Sequence, residues 1–187
     1  MAISNISDNQ IQNRNFLSPT GFKFTLNRAP KVAFFSNSAN IPGMNLGVAI
    51  QPSYLKDIDT PGDKIVFEDF TLRFLVDEDL KNYMEIHNWI RGLGYPDNLK
   101  EIYDLQDQQK YVDMSKSKNM NIYSDGTLSV LSSGLKSNFK VKFNDLWPYN
   151  LSSLNFDATD TDIEYFTADV TFKYTIYEIT DLDGNPL

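Results

Sequence analysis

The chain of 187 residues has no cysteine and a single histidine, His87. Without thiols it can build neither a disulfide framework nor a thiolate metal site, which fits a reducing compartment or a particle assembled in one. The lone His87 falls inside an expected helix and has no serine or cysteine motif to serve as a base. Packing in or near the core is the reading for it. Basic charge is also scarce: 17 Lys and Arg stand against 25 Asp and Glu, a net charge of -8. Such a balance repels nucleic acid and anionic membrane in bulk. No apolar run approaches the roughly 18 residues that span a bilayer. Residues 1–12 have no basic start and no apolar stretch, so no signal peptide is expected. Internal repeats and low-complexity tracts are absent.

Motifs for chemistry are missing as well. No glycine-rich phosphate loop is present, and Ser132-Ser133-Gly134 lacks the strand-to-helix context of a nucleophile elbow. Asp57 and Asp59 beside Lys56 read as a solvated loop, and the acidic stretch Asp157, Asp160, Asp162 and Glu164 as a solvated turn. The stretch Asp181-Leu182-Asp183-Gly184-Asn185 has the opening of a calcium loop, but its glycine comes too early and no bidentate glutamate follows. It reads as a terminal turn. No catalytic residue, metal or cofactor is expected, and no enzymatic activity.

What the chain does have is β-forming material. Hydrophobic residues make up 41%, with 13 Phe and 10 Tyr, enough for a core on a pleated scaffold. Over residues 165–177, Phe166, Ala168, Val170, Phe172, Tyr174 and Ile176 alternate with Thr167, Asp169, Thr171, Lys173 and Thr175. That period of two predicts one long strand with an apolar and a polar face. A second such strand is expected over residues 65–76, with Phe70, Leu72, Phe74 and Val76 inward and Thr71 and Arg73 outward; Glu68-Asp69 marks a bulge or an exposed stretch. Shorter strands are expected at Phe22–Leu26, at residues 32–35 and at residues 46–50, with Ile41-Pro42-Gly43 as a break. Residues 54–63 read as a loop closed by the turn Thr60-Pro61-Gly62-Asp63. Asp77 is the expected cap of one helix carrying Leu80, Tyr83, Met84, His87 and Ile90, widened by Ile86, Trp89 and Leu93 and stopped by Gly92, Gly94 and Pro96. Residues 100–120 read as a polar loop, Asp125-Gly126 as a hairpin turn, and Leu146-Trp147-Pro148 as a tight corner. The expected architecture is an antiparallel β-sandwich or barrel with one flanking α-helix. Its parts are an arm over residues 1–20, a β domain over 21–180 and a tail over 181–187.

The order of landmarks carries more than any one of them. Ile41-Pro42-Gly43 is followed by Gly62-Asp63 leading into Phe67-Glu68-Asp69-Phe70-Thr71. Then come Asp77-Glu78-Asp79 at a helix start, Leu146-Trp147-Pro148 with Asn150, and a closing strand from Thr167 to Tyr174. Across about residues 22–179 this series resembles the tail tube protein family of contractile-tailed bacteriophages. The resemblance implies a β-barrel protomer, hexameric rings, and rings stacked into a hollow tube that conducts DNA during ejection. It also implies the partners: further copies of the chain, a tail sheath protein, a baseplate hub or tube initiator, a tail terminator, and genomic DNA passing without specific binding. The place is the virion, with assembly in the bacterial host cytoplasm. Candidates for the inner wall are Thr71, Arg73, Thr167, Asp169, Thr171, Lys173 and Thr175, and candidates for contacts between subunits or rings are Tyr54, Lys56, Asp57, Asp59, Pro61 and Asp63. Two other readings compete: a tube-like baseplate protein that initiates the tube, and a monomeric ligand-binding β-sandwich with an aromatic groove.

Overall fold

In a computed structural model of the chain, the described residues are 16–107, 122–132, 134, 136–157 and 165–187. The expected arm over residues 1–20 therefore lies, up to residue 15, outside them, as does most of the polar stretch 100–120. Nine strands and three helices are formed among the described residues: β1 Phe22–Leu26, α1 Pro30–Phe34, β2 Ser36–Ala39, β3 Met44–Gln51, β4 Ile58–Phe67, β5 Phe70–Leu75, α2 Lys81–Gly94, α3 Lys100–Gln106, β6 Ser124–Leu131, β7 Ser137–Leu151, β8 Thr167–Lys173 and β9 Ile176–Thr180. Pairing is antiparallel throughout, in the order β1-β6-β7-β8-β5-β2, with β9 also on β7 and β3-β4 as a separate two-stranded sheet.

β7 holds the main sheet together. Its first half pairs with β6 and β9, and its second half with β8. Between them Asp145 adopts φ 54°, a left-handed bend that is costly for a residue with a Cβ. The bend changes which side faces inward. Val141 and Phe143 are buried before it, Leu146 and Pro148 after it, so the buried positions switch from odd to even. The partner chain switches at the same place. Ala168, Val170 and Phe172 are fully buried on β8, whereas on β9 Tyr177 packs against the core and Ile176 is exposed. The single long strand expected over 165–177 is thus two strands along one partner, separated at Tyr174-Thr175. Ile176 faces out because the bend shifts the alternation by one residue.

Phenylalanines fill the core. Phe24 meets Phe70 at 5.1 Å between ring centroids, Phe70 meets Phe143 at 4.5 Å, and Phe143 meets Tyr174 at 5.3 Å, separations typical of favourable tilted pairs. Gly126 belongs to this core. A Cβ there would meet the Phe24 ring at 3.1 Å, so the glycine admits an aromatic ring inside β6 and makes no hairpin turn. Leu146-Trp147-Pro148 likewise lies within β7, not at a corner.

Helix α2 covers the core with Ile86 and Trp89, and Trp89 donates to the Ile122 carbonyl at 2.9 Å. His87 points away from this face and is exposed, contrary to the packed position expected for it. Asp77 does not cap the helix, which starts after Leu80 at φ 56°. Buried Asn82 does the joining. It donates to the Leu75 carbonyl at 2.7 Å and accepts from the backbone N–H of Asp77 and of Tyr83, so the helix start is tied directly to the end of β5. Residues 32–35 form the end of α1 and its cap, not a strand, since Pro30 at the first helical position fixes φ for a helical turn. Residues 100–106 are helix α3, which presses Leu105 against Gly92 of α2. A buried guanidinium missed in the sequence, Arg28, donates to the Leu105 carbonyl at 2.7 Å and lies 5.4 Å from the Trp89 ring centroid.

Candidate assembly surface

The separate sheet β3–β4 is a hairpin that stands clear of the core. Every residue of β3 is exposed, and in β4 only Thr60, Gly62 and Phe67 are partly covered. The loop expected at residues 54–63 divides here: Tyr54, Lys56 and Asp57 occupy the turn, while Asp59, Pro61 and Asp63 lie on β4. The Thr60-Pro61-Gly62-Asp63 turn is absent because those residues pair across to β3. Pro61 stands opposite Val48, beside a register shift between Leu46 and Val48, the kind of irregularity at which a strand tolerates proline. Glycine allows that close approach. A Cβ on Gly62 would sit 2.4 Å from the Gly47 carbonyl oxygen.

One face of the hairpin is largely apolar, with Asp59 opposite Ile50 toward its tip. Met44, Leu46, Val48 and Ile50 alternate along β3, with Ile65 opposite Leu46 and Phe67 opposite Met44. Val48 is 65% exposed and Ile50 64%. A two-stranded ribbon is marginal alone, and a contiguous apolar face left open marks a contact surface. At the tip, Tyr54 is 100% and Leu55 91% exposed.

The base, by contrast, is fastened. Phe67 packs on Tyr174 and Tyr177, Tyr174 donates to the Glu68 carbonyl at 2.7 Å, and Tyr177 donates to the Pro42 carbonyl at 3.0 Å. Burial, together with Tyr177 nearby, pushes the Tyr174 phenol up to about 12. Asp69, at the break between β4 and β5, accepts from Lys173 at 2.5 Å and from Tyr149 at 3.0 Å. Those hydrogen bonds raise the pKa of both Lys173 and Tyr149. Glu68-Asp69, expected as a bulge or an exposed stretch, is a strand break at the foot of the hairpin with Glu68 exposed.

The other predicted group, the polar face of β5 and β8, is brought together in part. Thr71 stands opposite Thr171, and Arg73 opposite Asp169. The Arg73 guanidinium grips Asp169 with two bonds, Nε to Oδ1 at 2.8 Å and Nη2 to Oδ2 at 3.1 Å, which raises the Arg73 pKa. Thr167 stands opposite Leu75, and Lys173 opposite Trp147. Thr175 leaves the group, because it lies exposed at the bend outside both strands. Each cation on this face has a carboxylate: Asp169 for Arg73, Asp69 for Lys173. Among the described residues no group of three or more His, Asp or Glu side chains could hold a metal ion.

The sequence matches the family described as phage tail tube protein over residues 5–180. No curated protein matches it. Among solved structures, the chain is similar to one in the anti-feeding prophage cap, the tube-terminating cap, with 15% identity, 95% of this chain and 99% of that chain covered, and a TM-score of 0.55. It is also similar to a chain of the PVC extracellular contractile injection system sheath-tube complex in its extended state, at 14% identity, 90% and 94% coverage and a TM-score of 0.53. A third is in the 6-fold symmetrised anti-feeding prophage baseplate, at 9% identity, 92% and 97% coverage and a TM-score of 0.51. At these identities the likeness is one of fold.

Proposed function

The chain belongs to the phage tail tube protein family, and from that premise we propose that it is the protomer of a hollow tube built from stacked hexameric rings. The observation that carries this reading is the β3–β4 hairpin, whose apolar face, beyond Phe67 at its foot, is left open by the described residues of the protomer. Burying that face against further copies removes it from water and adds backbone pairing at its open edges. Tyr54, Lys56, Asp57, Asp59, Pro61 and Asp63 then lie in contacts between subunits or rings. Thr71, Arg73, Thr167, Asp169, Thr171 and Lys173 line the bore. There the threonines are small and polar, and each cation is matched by a carboxylate. DNA passes such a wall without counterion release to hold it. Sheath, baseplate hub and terminator proteins would complete the particle. The protein acts by shape and contact, not by catalysis.

Electron microscopy of the purified protein tests the reading. Rings or open-ended tubes support it, and a uniform monomer at high concentration contradicts it. The second reading, a tube-initiating baseplate protein, draws support from the same fold within a baseplate assembly. It predicts single rings that do not stack on themselves.

A further inference from the structure

We propose that the residues after β9 form an edge guard: the strap 181–187 folds back along the free side of β9 and keeps that strand from pairing with other molecules. β9 needs such cover. Thr175-Ile176-Tyr177-Glu178-Ile179-Thr180 carries one charge and neither glycine nor proline, the composition of segments that stack into sheets between chains. Ile176 and Ile179 are both exposed. On one side β9 pairs with β7, from Asn144 opposite Ile176 to Lys140 opposite Thr180. Among the described residues no strand of the sheet lies on its other side. An open edge of this kind is a template for a strand from another chain.

The strap takes the end of that edge. Thr180 bridges to Pro186, and two backbone bonds flank the pair: Leu187 N–H donates to the Ile179 carbonyl at 3.2 Å, and Asp181 N–H donates to the Asn185 carbonyl at 2.9 Å. Backbone groups of alternate residues face the same edge of a strand. Tyr177 and Ile179 are therefore the outward positions of β9, and the strap engages the second, which leaves too little backbone to hold an added strand. Nor does the strap extend the sheet in its turn. Leu187 N–H points in toward β9, so the nitrogen of Pro186 points out, where proline has no hydrogen to donate. Asp181 holds the turn. Its Oδ1 accepts from the N–H of Asp183 at 2.9 Å and of Asn185 at 2.8 Å, and its Oδ2 from Asn185 Nδ2 at 3.3 Å. These bonds, that of the Asn185 N–H foremost, hold the Asp181 carboxyl below its ordinary value. Lys140 on β7 donates from Nζ to the Leu182 carbonyl at 3.0 Å and ties the turn to the sheet. The stretch with the opening of a calcium loop thus directs its first carboxylate to the chain's own backbone.

The guard is a property of the single chain and stands apart from the tube reading. Asp181→Ala removes the acceptor at the turn, and Leu187→Pro removes the donor to Ile179. Both variants should keep the circular dichroism of the parent and its melting temperature within about 3 °C. Both should shorten the lag before thioflavin T-positive aggregates form by about tenfold or more. Asp181→Asn keeps an oxygen for the same backbone bonds and should behave as the parent. Adding Ile176→Lys to Asp181→Ala puts a charge on the bared edge and should restore the parental lag. Hydrogen exchange should find the amides of Ile176–Thr180 protected in the aggregate. If the folded Asp181→Ala and Leu187→Pro variants aggregate no faster than the parent, the strap guards nothing and the proposal is overturned. It is overturned also if Asp181→Asn aggregates as fast as Asp181→Ala, since charge and not the turn then protects the edge. Fast aggregation that Ile176→Lys does not slow, with β9 unprotected in the aggregate, would place the pairing elsewhere and overturn it as well.

Discussion

Val170 sits in β8 opposite Leu72 on β5 and Leu151 on β7, and is fully buried. Its neighbour Thr171 faces the other way and is partly open to solvent. Val170→Asp places an unpaired charge in an aromatic core and should cost at least about 3 kcal/mol, a large share of the roughly 5–15 kcal/mol that keeps a domain folded. Thr171→Ser should change the melting temperature by no more than about 3 °C; equal loss in both variants would contradict the assigned faces. Alternation alone sufficed to place these two residues. It failed at Ile176 because a positive φ at Asp145, a residue on a different strand, shifts the phase, and nothing local to Ile176 encodes that. Tyr174, at the same bend, gives a pH prediction. Its pKa is raised from 10.0 to about 12 on folding, so its contribution is complete below pH 10 and is lost as pH rises through about 12. Tyr174→Phe should weaken that alkaline loss, read as circular dichroism against pH. An alkaline profile identical to that of the parent would mean that the phenol at the hairpin base does not titrate as described.

At the scale of elements, the hairpin depends on two glycines passing close together. Gly62→Ala drives a Cβ into the Gly47 carbonyl, a backbone clash that no rotamer relieves. The variant should keep the melting temperature of the body within about 3 °C yet lose assembly. A stable protein that still forms tubes would show that the paired form of β3–β4 is not needed. This element was only half legible in the sequence. Residues 46–50 read as a strand, but Pro61-Gly62 carries the strongest turn signal in that stretch and conceals β4. The turn is overridden because the register shift at Leu46/Val48 gives proline a place where a missing donor does no harm. Helix α3 was hidden for a different reason: it has one buried residue, Leu105, too few for a helical period to show. At the foot of α2, Asp77-Glu78-Asp79 has the composition of a cap, whereas the helix start is held by the buried amide of Asn82, whose three hydrogen bonds leave no sequence pattern.

For the whole molecule, the order of landmarks along the chain is informative where single motifs are not, since several weak motifs in one order are more specific than any one of them. The proposed wall face of β5 and β8 gives a prediction at this scale. Asp169→Lys removes the partner of Arg73 and adds a cation, so assembled tubes should retain DNA at low salt and release it as salt rises. Unchanged retention would place β8 outside the bore. If other copies cover the open face of β3–β4, amide hydrogen exchange there must differ between the free and the assembled protein. Amides of Met44–Gln51 and Ile58–Phe67 should exchange rapidly in the protomer and become protected to the level of β7 in the assembly. Equal exchange of these two strands in both states would contradict it.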